Sequence, residues 1–169
     1  MSYRNRTFVS FASEDIHYYR LMKAWRENSR FDFDFHDAHD LNTARDTSSP
    51  MTINLRLRER LKNTKQVVML IGDITRRKAA TPGSFIGYEA RTIKSLEVPI
   101  IFANLNKSRV AESNRIPEIL LDLFSVSVSF NPAIIKYALD SFPNEYRQLR
   151  RTKHGPHEYS SDHYSYVGL

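Results

Sequence analysis

One acidic residue stands out in the segment GSFIGYEART, residues 83–92. Glu89 follows a loop rich in Pro, Gly, Ser and Thr, lies near the start of a predicted helix, and has the aromatic Tyr88 beside it. The helix dipole favours an acid in the first helical turn, so position alone explains Glu89 as a solvated structural residue. The same position would suit the carboxylate of an active site. Both interpretations stay open on these residues alone.

A second polar group follows the first predicted strand. The segment SFASED contains Ser10, Ser13 and Asp15, and the helix that follows it starts close to Asp15. Serine and aspartate are preferred helix N-caps, so capping fully explains Ser13 and Asp15.

Metal and phosphate motifs are weak or missing. His36, His39 and Asp40 are close in sequence, but their spacing is not diagnostic, and we predict no metal site. The sequence contains neither G-x-G-x-x-G, nor G-x-x-x-x-G-K-[ST], nor G-x-S-x-G. The absence of cysteine excludes a disulfide framework, a thiolate metal site and a cysteine nucleophile, and it fits a reducing cytoplasm.

Strand-like and helix-like segments alternate along the chain. The predicted strands are 6–11, 30–36, 65–72, 98–105 and 125–130, and the predicted helices are 15–28, 51–63, 85–97, 114–124 and 131–142. This alternation predicts a three-layer α/β fold of the flavodoxin-like kind, with about five mostly parallel strands and helices on both faces. The continuous apolar runs 67–71 and 98–103 should be its central strands.

The remaining segments are predicted to be irregular. Residues 73–84 read as a loop, and Pro143 should end the last helix or start another. Residues 1–150 are predicted to form one domain, followed by a polar and loosely ordered tail, 151–169, that could dock through its tyrosines.

Ligands of open α/β sheets bind at the carboxyl ends of the strands. By that rule, four loops are candidates for ligand binding: 11–15, 37–50, 72–84 and 104–113. Glu89 follows the third of them.

The chain is basic, with a net charge of +6 and a pI of about 9.6. Most of its cations are scattered among acids, and no nucleic-acid-binding motif accompanies them, so an anionic small ligand such as a dinucleotide fits better than nucleic acid. The apolar runs VVMLI and VPIIFA are too short to span a membrane, and the start of the chain does not look like a signal peptide. We therefore expect a cytoplasmic protein without membrane contact.

Three segments in order resemble a known family. RTFVSFASED precedes a helix, NTKQVVMLIGDIT follows later, and SFIGYEARTIKSLEVPIIFANLN comes next. Together they resemble the bacterial TIR-like domains, most closely the TIR-like proteins of the Thoeris antiphage systems, over about residues 5–140. The chain departs from the pattern at Phe85, where the family usually has Trp, in its longer and more basic 73–84 loop, and after residue 150.

The resemblance implies an enzyme that consumes NAD. Catalytic TIR domains cleave the bond between nicotinamide and ribose, and some produce cyclic ADP-ribose-type signals, with NAD as substrate and no separate cofactor. It implies that Glu89 is the catalytic carboxylate and that Phe11 or Tyr88 stacks on a ring of the dinucleotide. Ser10 and Ser13 would contact ribose or phosphate. Independently of the resemblance, the charge of Arg45 and its position in the 37–50 loop make it a candidate phosphate contact.

The resemblance also implies partners: a downstream effector that responds to the nucleotide signal, and further copies of the chain in a homo-oligomer. Two other classes stay open. A non-catalytic TIR-type module would act only by association. A phosphorelay receiver would use Asp73 with Glu14 and Asp15, but these acids are poorly spaced for metal binding and no lysine ends the last strand.

Overall fold

The computed structural model of the protein describes residues 6–30 and 49–169. Within these ranges, five strands form one parallel sheet in the order β1-β2-β3-β4-β5. The strands are β1 Thr7–Ser10, β2 Gln66–Ile71, β3 Ile100–Asn104, β4 Ser125–Ser129 and β5 Pro156–Glu158. The helices are α1 Ile16–Glu27, α2 Pro50–Leu61, α3 Thr75–Ala80, α4 Phe85–Leu96, α5 Pro132–Leu149 and α6 Ser161–Tyr166. The predicted α/β class is confirmed.

The two apolar runs lie inside this sheet, as predicted. Every residue of β2 and β3 is buried, and the two strands pair in register from Val67 opposite Ile100 to Ile71 opposite Asn104. Strands covered on both faces need apolar side chains at successive positions, which is why neither strand alternates with polar residues.

Helices cover both faces of the sheet. Met22 of α1 and Ile134 of α5 belong to the core on one face, whereas Leu61 of α2 and Ile93 of α4 belong to the core on the other. Side chains of a strand alternate between faces, so neighbouring residues of β1 enter different cores. None of the helices in the described ranges combines the length and the apolar character needed to cross a membrane.

The predicted loop 73–84 contains a helix, α3, so that prediction was wrong. The buried Thr75 begins the helix, and its Oγ1 accepts a hydrogen bond from the Gly72 N–H at 2.8 Å. The sequence TRRKAA is too short and too polar to show a helical period.

The helix predicted to end at residue 142 continues through Pro143 to Leu149. Proline lacks the N–H of an interior helical bond, but the apolar side of this helix does not stop there. The rings of Phe142 and Tyr146 have centroids 6.1 Å apart, and both contact Phe124. Packing against the core therefore extends the helix past the proline.

Another predicted helix is shorter than expected. The helix expected over 114–124 is only a short 3-10 turn, Glu118–Leu120, and Pro117 before it has a ψ of 129°, outside the helical region. Residues 31–36 of the strand predicted at 30–36 lie outside the described residues, so the structure does not test that strand.

The segment 151–169, expected to be a loosely ordered tail, contributes β5 and α6 to the fold. The side chain of Tyr164 is only 1% exposed, and its hydroxyl accepts a hydrogen bond from the Ser129 N–H at 3.1 Å. The segment 151–169 therefore docks on the fold partly through Tyr164, which makes a buried polar contact with β4.

Candidate active site

Glu89 lies one turn deeper in its helix than the sequence suggested. It is the fifth residue of α4, whose first turn contains no acid, and only 4% of its surface is exposed. Ser84 is the N-cap residue of this helix, and its Oγ accepts a hydrogen bond from the Gly87 N–H at 3.1 Å. A solvated first-turn acid is therefore the wrong description of Glu89, and the dipole argument does not explain it.

The side chain of Glu89 meets the end of β1. Ser10, the last residue of that strand, is fully buried, and its Oγ donates a 2.5 Å hydrogen bond to Glu89 Oε2. Phe8 belongs to the core beneath α4, and the two-residue period of a strand turns Ser10 to the same face. The bond thus joins the carboxyl end of a strand, where ligands of such sheets bind, to a helix.

Burial dominates the electrostatics of this carboxyl group. Removal from water raises the pKa of Glu89 to about 8, although the hydrogen bond from Ser10 acts in the opposite direction. A buried carboxyl group with so high a pKa is uncommon outside functional sites. A cation bound beside it would favour the ionised form.

A glycine lets α4 approach α3 closely. A Cβ atom at Gly87 would lie 2.7 Å from the carbonyl oxygen of Ala79 and 2.8 Å from Ser84 Oγ. Any larger residue would have to push these helices apart, because the nearer contact is with backbone. Gly87 therefore fixes the position of the helical turn that carries Glu89.

Phe11 does not share this site. Its ring is 2% exposed and stacks on Tyr19 of α1, with centroids 4.5 Å apart and 24° between the planes. It belongs to the core on the α1 and α5 face, whereas Ser10 turns towards α4. The structure therefore places these neighbouring predicted site residues on opposite faces.

Tyr88 is also engaged in packing. It is 7% exposed, forms a buried pair with Leu57 of α2, and has the guanidinium of Arg91 over its ring at 4.7 Å from the centroid. Its ring thus contacts α2 and a cation of its own helix.

Ser13 is exposed at the carboxyl end of β1, in the 3-10 turn Ser13–Asp15. Its Oγ donates to Glu14 Oε2 at 3.2 Å, and it does not cap α1. Arg45 lies outside the described residues.

The burial of the Asp15 carboxyl group could not be predicted from the sequence. Asp15 is the N-cap residue of α1, but its side chain makes no capping bond, and its buried Oδ2 has no hydrogen-bond partner within the described ranges. A Cβ at Gly72 would lie 2.8 Å from that oxygen, so the carboxyl group packs against the end of β2. Burial, with help from Glu14 and Asp73, raises its pKa. The sequence signal for this contact was an acid after β1 and a glycine after β2, because a parallel sheet brings the ends of these two strands to one edge.

The acids that the structure describes at this edge form no metal centre. Among residues 6–30 and 49–169, no group of three His, Asp or Glu side chains could hold a metal ion. Asp73, the acceptor in the receiver alternative, has an exposed side chain that pairs with Arg115 at 2.8 Å. The trio His36, His39 and Asp40 lies outside the described residues.

The profile of one protein family matches residues 8–109, more than half of the chain: Thoeris protein ThsB, TIR-like domain. The chain belongs to this family. The matched TIR-like segment runs from β1 to the loop after β3 and contains both Ser10 and Glu89. No curated protein matches the chain.

Membership confirms the resemblance drawn from the sequence and gives the sheet its fold name, TIR-like. It relates the protein to Thoeris defence. The β4, α5, β5 and α6 elements lie beyond the matched segment.

Proposed function

We propose that this TIR-like protein cleaves the bond between nicotinamide and ribose in NAD and makes an ADP-ribose-type signal, cyclic or linear, in antiphage defence. One observation carries the proposal: a carboxyl group buried at the carboxyl edge of the sheet and bonded at 2.5 Å to the last residue of β1, inside the family segment.

Cleavage of the bond between nicotinamide and ribose requires one well-placed carboxylate. When the bond between ribose C1′ and the nicotinamide nitrogen breaks, its electron pair leaves with nicotinamide, which becomes neutral. The ribose acquires oxocarbenium character, as in glycoside cleavage, and water or a hydroxyl or ring nitrogen of the same molecule then attacks C1′. An ionised Glu89 would stabilise the positive charge and accept hydrogen bonds from the ribose hydroxyls.

Substrate itself would help to ionise Glu89. NAD brings a cationic nicotinamide ring to the site, and a nearby positive charge lowers the pKa of a carboxyl group. Ser10 acts in the same direction, because its hydrogen bond favours the charged form. A carboxyl group with a pKa of about 8 in the free protein can thus become a carboxylate when substrate binds.

The exposed Ser13 is a proposed ribose or phosphate contact, and Arg45 a proposed phosphate contact. The packed rings of Phe11 and Tyr88 could stack on the dinucleotide only after leaving their partners, Tyr19 and Leu57. We also propose that the protein assembles into a homo-oligomer in the cytoplasm. A downstream effector would respond to the product.

The test is an assay of NAD cleavage at high protein concentration, with the products separated by chromatography. Wild type should release nicotinamide, and Glu89→Gln should lower the rate by at least a hundredfold, because the amide cannot supply the negative charge. Glu97→Gln is the matched control, since it removes an exposed carboxylate from the end of the same helix. Equal rates for wild type and Glu89→Gln would contradict the assignment.

A second candidate is a non-catalytic TIR-type interaction module. Met51 and Leu55, one turn apart on α2, have exposed fractions of 74% and 62%, an unusual display of apolar surface. If wild type releases no nicotinamide even with extract of infected cells, but sediments as an oligomer that Leu55→Ser dissociates, association is the function.

A further inference from the structure

A cavity opens on the face of the sheet opposite Glu89. It has a volume of about 570 Å³ and lies between α1 and the segments that follow β3 and β4. Its lining includes three aromatic rings, Tyr18, Trp25 and Phe130, and two cations, Lys107 and Arg109. We call it the aromatic cavity. Its volume is in the usual range for sites that hold a small ligand.

The rings form a connected wall. The centroids of Trp25 and Phe130 are 4.9 Å apart, and Tyr18 meets Phe130 edge-on at 5.3 Å. Tyr18 and Trp25 are only half-buried, so part of each ring faces the cavity or solvent. Partly exposed aromatic faces that are held by their neighbours suit the stacking of a flat ring.

Lys107 and Arg109 lie on the loop after β3, whose backbone is held by hydrogen bonds. Lys107 has a φ of 64°, in the left-handed region that residues with a side chain seldom adopt. Its N–H donates to the carbonyl of Asn104, whose own side-chain amide donates to the carbonyls of Ser108 at 3.0 Å and Val110 at 2.8 Å. Unusual backbone held by such a network is typical of binding sites.

The end of the chain secures the same loop. The guanidinium of Arg109 covers the ring of Tyr164 at 4.3 Å, and the Ala111 N–H donates to Glu158 Oε2 at 2.7 Å. The lining of the cavity, as far as the structure describes it, contains no Asp or Glu side chain that would neutralise its two cations. The lining thus combines aromatic rings with two cations.

We propose that the aromatic cavity binds a nucleotide, with the base against Tyr18, Trp25 and Phe130 and the phosphates at Lys107 and Arg109. An aromatic wall beside cations matches the two halves of such a ligand. This site is separate from Glu89, which lies between β1 and α4 on the opposite face, and it does not depend on the proposed NAD cleavage.

The chain has one tryptophan, and it lines this cavity, so its fluorescence reports on the site directly. Titration with ADP, which lacks the scissile nicotinamide bond, should change the emission of Trp25 in a saturable way. Adenosine and inorganic phosphate should each bind at least tenfold more weakly, because each can contact only the rings or only the cations. Calorimetry with the same three probes gives the dissociation constants independently.

Single substitutions then assign the cations. Lys107→Gln and Arg109→Gln should each weaken ADP binding about tenfold, the usual effect of removing one charged phosphate contact. Lys153→Gln removes an exposed cation that does not line the cavity, and it should leave binding unchanged. Glu89→Gln should also leave it unchanged, which separates this site from the proposed active site. Both cations are exposed, so loss of folding is not expected.

Three results would overturn the proposal. The first is the absence of ADP binding by both fluorescence and calorimetry. The second is binding that Lys107→Gln and Arg109→Gln do not weaken. The third is equal affinity for ADP and adenosine, or for ADP and phosphate, which would show that the cavity does not recognise a nucleotide as a whole.

Discussion

Ser10 Oγ and Glu89 Oε2 lie 2.5 Å apart, although 79 residues separate them in the chain. This hydrogen bond crosses from the end of β1 to the second turn of α4, and both side chains are buried. It opposes the effect of burial, which pushes the carboxyl group towards its neutral form. The balance of these two effects makes the site sensitive to pH and to small changes nearby.

Stability should fall as pH rises through the range in which Glu89 ionises. Burial raises its pKa from 4.5 to about 8, so between these values the folded chain keeps a proton that the unfolded chain has lost. The stabilisation from this group is complete below about pH 4.5 and is lost as pH rises to about 8. Urea unfolding at pH 5 and pH 8.5 should therefore show that Glu89→Gln gains stability over wild type at the higher pH, by a few kcal/mol at most.

The exposed Glu97→Gln should show no such change between the two pH values. A stability difference between wild type and Glu89→Gln that stayed constant from pH 5 to pH 8.5 would mean that Glu89 has an ordinary pKa.

Ser10→Ala should weaken NAD cleavage through its effect on Glu89. Loss of the hydrogen bond raises the pKa of Glu89 further, so the rate at pH 7.5 should drop about tenfold and the rising limb of the pH profile should move to higher pH. The measurement is kcat/KM for NAD between pH 6 and pH 9.5. Ser13→Ala removes an exposed hydroxyl from the next turn and should not move that limb. A lower rate at an unchanged apparent pKa would assign Ser10 to substrate binding instead.

Gly87→Ala should disturb the helix that carries Glu89. The added methyl group would meet the Ala79 carbonyl oxygen at 2.7 Å, so α3 and α4 must separate. We expect a loss of about 1–3 kcal/mol in urea unfolding and a fall of more than tenfold in NAD cleavage. Gly155→Ala, which has a positive φ of 72° before the start of β5, should lose stability without losing activity at a saturating substrate concentration. Equal activity in both variants would show that the α3 contact does not position Glu89.

Tyr164→Phe should destabilise the fold although it removes one atom. The Ser129 N–H would lose its hydroxyl acceptor in a buried place, which costs about 1–3 kcal/mol. Thermal or urea unfolding measures the loss. Tyr166→Phe is the matched control, because Tyr166 is 80% exposed, and its stability should equal that of wild type. If the two variants were equally stable, the hydroxyl of Tyr164 would contribute nothing.

The elements that the sequence predicted well are those whose pattern is local. The continuous apolar runs of β2 and β3 can be read from neighbouring residues. The elements that it missed are short. The six residues of α3 and the three residues of β5 are too few to show a period, and β5 starts with a proline. Their positions depend on contacts with distant parts of the chain.

The candidate site could be predicted only in part. The family resemblance pointed to Glu89, and the rule for parallel sheets pointed to the edge where it lies. The sequence could not reveal its burial, because that depends on Ser10, 79 residues away. Nor could it show that the rings of Phe11 and Tyr88 are packed against Tyr19 and Leu57.

The division of Ser10 and Phe11 between the two faces of the sheet has an evolutionary consequence. Adjacent residues with different neighbours are free to vary separately. Across relatives, changes at position 10 should therefore accompany changes at position 89, and changes at position 11 should accompany changes at position 19. Ser10 and Phe11 would then vary independently of each other among relatives, although they are adjacent in the sequence.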